Sequence, residues 1–162
     1  ALCTGKPYCF LMNSDFSKST YEASEKYMKR ALAYGMFPGF FSADASTGHY
    51  FTRPELYNRD RPLFKKYIPL CKRVAEAGWE PLTGAVSDNE AVVVERFGRL
   101  PGACYLTVFN LSEKVQKAGV TLPAEASGAA CRELVAGGEV AWPSRRADVE
   151  LEGGGVRVIE LR

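Results

Sequence analysis

Two polar loops hold the side chains in this sequence best suited to chemistry. The first, "NSDFSKS", begins at Asn13 and carries Ser14 and Asp15; the second, "ADASTGHYF", carries Asp44, His49 and Tyr50. His49 is the only histidine of the chain, and an unperturbed imidazole titrates near neutrality, which suits proton transfer. A lone loop histidine is more often a surface residue or a hydrogen-bonding spacer. Asp15 has a plain reading too, as a turn aspartate that satisfies backbone N–H groups ahead of a helix. One histidine cannot form a histidine-pair metal site, and no cysteine spacing replaces it. There is no Ser-His-Asp order, phosphate loop, zinc motif or nucleic-acid module. The glycines at Gly137–Gly138 and Gly153–Gly155 do not open a helix after a strand, so they read as turn devices rather than phosphate cradles. No cofactor and no metal are expected.

The elements that must position these loops follow from hydrophobic periodicity. "PYCFLMN" (Pro7 to Asn13) is a short, nearly all-apolar run, the pattern of a strand in a parallel sheet buried on both faces. Ser19 and Glu22 have the spacing of a capping box, and Tyr21, Ser24, Tyr27, Met28, Ala31 and Leu32 trace one helical face that Gly35 ends. "MFPGFFS" (Met36 to Ser42) reads as a second short strand. Thr52 and Glu55 make a second capping box, leading to a short helix "PELYNRD". Pro62 then starts a longer helix, kinked at Pro69, with Leu63, Phe64, Tyr67, Ile68, Cys71, Val74 and Ala75 as its apolar stripe and Gly78 as its stop.

Near Ala85 the grammar changes. "AVVVERF", "ACYLTVFNL", "AGVTL", "CRELV", "EVAW", "ADVELE" and "VRVIELR" are short β-branched or alternating runs separated by turn residues. Such a series predicts an antiparallel sandwich or small barrel over residues 86–162, after an α/β part over 1–85. "ADVELE-GGG-VRVIELR" reads as its clearest hairpin. Val158 and Ile159 break the alternation, which predicts a bulge or burial on both faces there. Val93, Leu106, Val108, Leu122, Val149, Leu151 and Val158 are expected in its core. Trp79 and Trp142 are expected to seal the cores of the two parts.

Totals bound the function. The 162 residues are 46% hydrophobic and 25% charged, and the formal net charge is only +2. That is too little to imply nucleic acid or an anionic membrane as partner. No apolar run approaches the roughly 18–20 residues of a membrane span. The five cysteines are odd in number and form no CxxC pair, which favours a reducing compartment such as the cytoplasm. Two parallel strands with their helices cannot cover both faces of a sheet, so the first half reads as the end of a larger α/β domain.

The layout resembles the C-terminal end of a (β/α)8-barrel glycoside hydrolase with its C-terminal antiparallel β-sandwich. "YGMFPGFFS" followed by "PELYNRDRPLFKKYIPLCKRVAEAGWEP" looks like the last barrel strand and helix. "CYLTVFNLSEK", "CRELVAGGEV" and "LEGGGVRVIEL" are similar to the "FN-(L/S)" strand, "(D/E)L…G" turn and closing "L…GG-V-V" segment of the terminal domain. The resemblance implies that "PYCFLMN" and "MFPGFFS" are the seventh and eighth strands. Barrel active sites lie at the C-terminal strand ends, so it points to Asn13, Asp15, Asp44, His49 and Tyr50 as carbohydrate-binding residues, with Asp15 a candidate catalytic carboxylate. The aromatics Phe37, Phe40, Phe41, Tyr50 and Phe51 include candidates for a sugar-stacking platform, although such clusters more often pack cores. Glycosidases need two carboxyl groups across the scissile bond, and such enzymes often carry them on middle strands, which this chain lacks. The chain alone is therefore expected to be inactive, its parent hydrolysing glycosidic bonds. A complementary N-terminal chain or a homo-oligomer is the expected protein partner. The competing expectation is a non-catalytic carbohydrate-binding or structural β-sandwich fragment.

Overall fold

The computed structural model describes residues 8–42 and 48–162. Strands β1 (Cys9–Ser14) and β2 (Phe37–Ser42) pair in parallel, Cys9 opposite Phe37 and Ser14 opposite Ser42. Helix α1 (Tyr21–Ala33) makes the crossover between them. Its cap is Thr20, whose hydroxyl accepts from the Ala23 N–H at 3.1 Å, one residue later than the Ser19 capping box predicts. Ser19 is occupied elsewhere, taking Arg59 on its carbonyl at 2.5 Å and its hydroxyl at 3.0 Å. Gly35, at φ 63, ends the helix against the Phe97 ring, where a Cβ would lie 2.3 Å from a ring carbon.

Helix α2 runs unbroken over Pro54–Ala77, so the expected break at Pro62 does not occur. Each mid-helix proline costs on the order of 3 kcal/mol by removing an N–H and crowding the preceding turn. Pro62 and Pro69 are two turns apart and both exposed, so the carbonyls they orphan face water. The opposite stripe of Leu56, Leu63, Tyr67, Leu70, Cys71 and Val74 is buried along its whole length and holds the helix together. Thr52 does not cap α2 either; its hydroxyl donates to the His49 carbonyl at 2.7 Å, and Arg53 takes the cap position without a side-chain bond.

Nine strands follow, all paired antiparallel. They are β3 (Trp79–Glu80), β4 (Val86–Ser87), β5 (Val92–Gly98), β6 (Cys104–Asn110), β7 (Gln116–Thr121), β8 (Cys131–Glu133), β9 (Glu139–Val140), β10 (Arg146–Leu151) and β11 (Val156–Leu161). They form a six-stranded sheet ordered β3-β5-β6-β11-β8-β9 and a three-stranded sheet ordered β10-β7-β4. The six-stranded sheet thus takes its first strand from before Ala85, and Ala85 itself is buried between the sheets.

The segment read as a hairpin is an arch. β10 pairs with β7, whereas β11 pairs with β6 and β8, so Gly153–Gly155 carries the chain from one sheet to the other. A Cβ on Gly153 would sit 2.3 Å from the Glu113 carbonyl oxygen of the β6–β7 loop. The alternation of β10 reflects its outer sheet with one wet face. β11 is in the inner sheet and is buried on both.

That inner sheet separates two cores. Cys104, Leu106 and Val108 of β6, with Ile159 and Leu161 of β11, meet Val120, Val149 and Leu151 of the outer sheet. The opposite parity, Tyr105 and Phe109 with Val156 and Val158, packs on the helices. Leu106, Val108, Leu122, Val149 and Leu151 lie between the sheets as expected, while Val158, and Val93 more loosely, face the helices. Thr107 ties the layers by donating to the Ala33 carbonyl at 2.6 Å. Trp142 packs on the two-sheet core, but Trp79 is 38% exposed and bonds Glu95 at 2.7 Å.

The loops of the β part are fixed by two buried polar side chains. The Asn110 amide donates to the carbonyls of Lys114 (2.7 Å), Leu151 (3.1 Å) and Glu152 (2.8 Å), while its oxygen accepts from the Ser112 N–H and hydroxyl, both at 2.9 Å. The Glu133 carboxylate accepts from the N–H groups of Val135 (2.9 Å), Ala136 (2.5 Å), Gly137 (3.2 Å) and Val158 (3.3 Å). These two residues give physical content to the "FN" and "EL…G" phrases of the sequence.

Candidate functional site

Parallel pairing puts the C-terminal ends of β1 and β2 at the same end of the sheet, with Asn13 level with Phe41 and Ser14 with Ser42. Asp15 follows directly. Its carboxylate accepts from the Ser17 hydroxyl at 2.6 Å and N–H at 3.0 Å, capping a 3-10 turn at Phe16–Lys18, and lies 3.3 Å from the Lys18 ammonium. The bonds from Ser17, then Lys18, hold the exposed carboxyl below its usual range. Asp15 therefore stays ionised at neutral pH, an acceptor for a hydroxyl rather than a proton donor.

His49 returns on the second segment, exposed, with its carbonyl taken by the Thr52 N–H at 3.0 Å. Asp44 lies outside the described residues. Tyr50 turns inward: its ring is 1% exposed and stacks on Phe40 at 4.5 Å and 21°. Its hydroxyl donates to Asp60 Oδ2 at 2.8 Å. Of the other aromatics, Phe41 and Phe51 are exposed, and Phe37 is half-buried.

Asp60 is the residue that sequence reasoning missed. Its carboxylate is 0% exposed and collects the Ser24 hydroxyl of α1 at 2.9 Å, the Tyr50 hydroxyl and a bidentate contact from Arg59 at 2.6 and 2.9 Å. Burial pushes its pKa up, but the bonds from Arg59, Tyr50 and Ser24 outweigh that and hold it below the usual carboxylate range. Burial and the neighbouring carboxylate raise the Tyr50 phenol, which stays protonated as a donor. Arg59 also reaches Ser19, so one cluster fixes the segment after β2 to the segment before α1. The signal was present: Asp60 falls in phase with Leu56, Leu63 and Tyr67, a carboxylate on an apolar stripe.

Among the described residues, the helices cover one face of the sheet carrying these segments. Phe10, Met12 and Phe40 pack toward the helices, and the Tyr27 hydroxyl donates to the carbonyls of Phe10 and, at 2.9 Å, Gly39. On the other face Leu11 is 59% and Phe41 45% exposed, beside an exposed Cys9. Among the described residues no strand pairs with the outer edge of β1 or of β2. Among them, too, no group of three or more His, Cys, Asp or Glu is placed to hold a metal, and no helix is long and apolar enough to cross a membrane.

No protein-family profile matches this sequence, and no curated protein sequence matches it. Solved structures do. A GH27 β-L-arabinopyranosidase from Geobacillus stearothermophilus is similar over 89% of this chain and 31% of its own, at 17% identity and TM-score 0.51. The α-amylase of Geobacillus thermoleovorans is similar over 94% and 38%, at 14% identity and TM-score 0.56. α-Galactosidase I of Mortierella vinacea is similar over 93% and 38%, at 9% identity and TM-score 0.53. The chain thus has a fold found in glycoside hydrolases and spans about a third of the length of these structures.

Proposed function

We propose that this chain is the C-terminal portion of a (β/α)8-barrel glycoside hydrolase, with residues 1–85 ending the barrel and 86–162 forming its β-sandwich. The observation that carries the reading is the parallel sheet of the described residues, with helices on one face, the exposed Leu11 and Phe41 on the other, and both outer edges unpaired among those residues. Closing such a sheet into a barrel would bury that face as the barrel interior. β1 and β2 become the last two strands. The segments that follow them then form one wall of the sugar site, with Asn13, Asp15, Asp44 and His49 toward substrate and Tyr50 holding the second segment in place.

Hydrolysis in the parent would use paired carboxylates. Asp15 is ionised and engaged by Ser17, which suits it to bind a sugar hydroxyl, and the acid–nucleophile pair would come from strands outside this chain. The test is turnover of a panel of aryl glycosides by the purified chain, by the product carrying the preceding βα units, and by Asp15→Asn in each. Activity only in the longer product, reduced but retained in Asp15→Asn, supports the reading. Turnover by the chain alone that disappears in Asp15→Asn would overturn it. One observation favours a non-catalytic β fragment instead: the core between the two sheets is closed by the chain's own residues. Inactivity of the longer product would select that reading.

A further inference from the structure

At the far end of α2 lies a groove of about 270 Å³ between that helix and β8. Lys65 and Lys66 line it from one turn of α2, Arg73 from two turns further on, and Arg132 faces them from β8. All four are exposed. Among the described residues none of them makes an ion pair, whereas Lys72, on the same helix, is paired with Glu76 at 3.7 Å. Lys66 instead lies over the Tyr67 ring at 5.1 Å. The floor is apolar, made by Leu70 and Leu134.

Of the nearby acids, Glu139 stands opposite Arg132 in the β8–β9 register, and Glu152, bonded to Lys29 at 2.6 Å, feels the Lys66 charge, which leaves the four cations in excess. Glu133 is buried, and its carboxylate is consumed by four backbone N–H groups. Glu160, opposite Arg132 in the β8–β11 register, is bonded to Arg162 at 2.5 Å. Converging cations with low-dielectric walls concentrate anions, and an apolar floor suits the flat side of a sugar ring. The volume is just below the roughly 300–1,000 Å³ of drug-sized sites, which leaves room for a single ring.

We propose that this groove binds an anionic saccharide, a sugar unit bearing sulfate, phosphate or carboxylate groups. Naming a saccharide rests on the carbohydrate reading above; the cationic groove itself does not. It sits about 16–28 Å along α2 from the strand-end segments, by the helical rise. Occupancy there is therefore separate from any chemistry at the strand ends.

The experiment is calorimetric titration of the purified chain with a heparin-derived sulfated tetrasaccharide, a neutral tetrasaccharide and inorganic phosphate. Lys65→Ala/Arg132→Ala is compared with Arg30→Ala/Lys114→Ala, which removes two exposed cations elsewhere. The sulfated probe should bind and the neutral one should not. Affinity should fall about tenfold or more in the groove variant, stay within about twofold in the control, and weaken as salt shortens the Debye length. Unchanged melting of both variants will show that each is folded. Equal weakening by the control pair would reduce the effect to diffuse charge and overturn the site. Inorganic phosphate competing as well as the tetrasaccharide would overturn the saccharide assignment, and absence of binding would overturn both. None of these outcomes depends on glycosidase turnover, so this proposal can fail while the barrel reading stands.

Discussion

Replacing Asp60 with alanine should expose how the segment after β2 is held. The substitution removes a carboxylate that is 0% exposed and leaves Arg59, Tyr50 and Ser24 without their acceptor. Breaking a buried charge pair costs roughly 3–5 kcal/mol. The Arg59 side chain is 29% exposed and can recover water, which places its share near the bottom of that range. The Tyr50 hydroxyl keeps the Leu56 carbonyl at 3.3 Å, so the stranded Ser24 hydroxyl adds about 1 kcal/mol. A loss of about 3–4 kcal/mol is therefore expected, much of the stability of a typical domain. Tyr50→Phe, which keeps the ring stack and removes one bond, should cost only about 1 kcal/mol. Because the folded carboxyl sits below its unfolded value, its stabilisation is present above about pH 4 and lost as pH falls through the folded pKa. Urea unfolding followed by circular dichroism at pH 7 and pH 3 measures both effects. The Asp60→Ala deficit should be large at pH 7 and shrink at pH 3. A deficit below about 1 kcal/mol at pH 7, or one equal at the two pH values, would refute the reasoning.

Three further outcomes are expected. Glu133→Ala should destabilise the fold by about 2–3 kcal/mol, since it strands several buried N–H groups, and hydrogen exchange should speed at Val135 to Gly137 first. Gly153→Ala should cost about 1–3 kcal/mol by overpacking, because its Cβ meets the Glu113 backbone; thermal melting reads this directly, and a neutral result would mean the arch can move. Burial pushes the Cys71 thiol up to about 12, so iodoacetamide at pH 8 should label the exposed Cys9 but spare Cys71, Cys104 and Cys131 until urea is added, as peptide mass mapping would register.

Much of this architecture could be read from the chain because its elements are marked locally. The apolar runs of β1 and β2, the helical face ending at Gly35 and the seven β runs all depend on neighbouring residues. The errors share one cause, which is information carried between distant residues. Nothing around "ELEGGGVRV" tells whether two strands joined by three glycines pair with each other or with β7 and β6. The continuity of α2 through Pro62 depends on what its far side buries. Ser19 lost the cap of α1 to Thr20 because Arg59, forty residues on, occupies it. Asp60 was legible as an anomaly on an apolar stripe, but its partners on α1 and at Tyr50 were not.

Strand β6 belongs to both cores at once, its odd and even residues facing different layers. The two parts of the chain are therefore not modules that could be exchanged separately. Detaching the helices would turn Tyr105, Phe109 and Val158 out to solvent, and the separated β unit would become prone to self-association. Heat should find one cooperative transition rather than two. A substitution that loosens Thr107 at the Ala33 carbonyl should register on both sides of the sheet. For anyone recombining such pieces, the seam visible in the sequence near Ala85 is a poor place to cut.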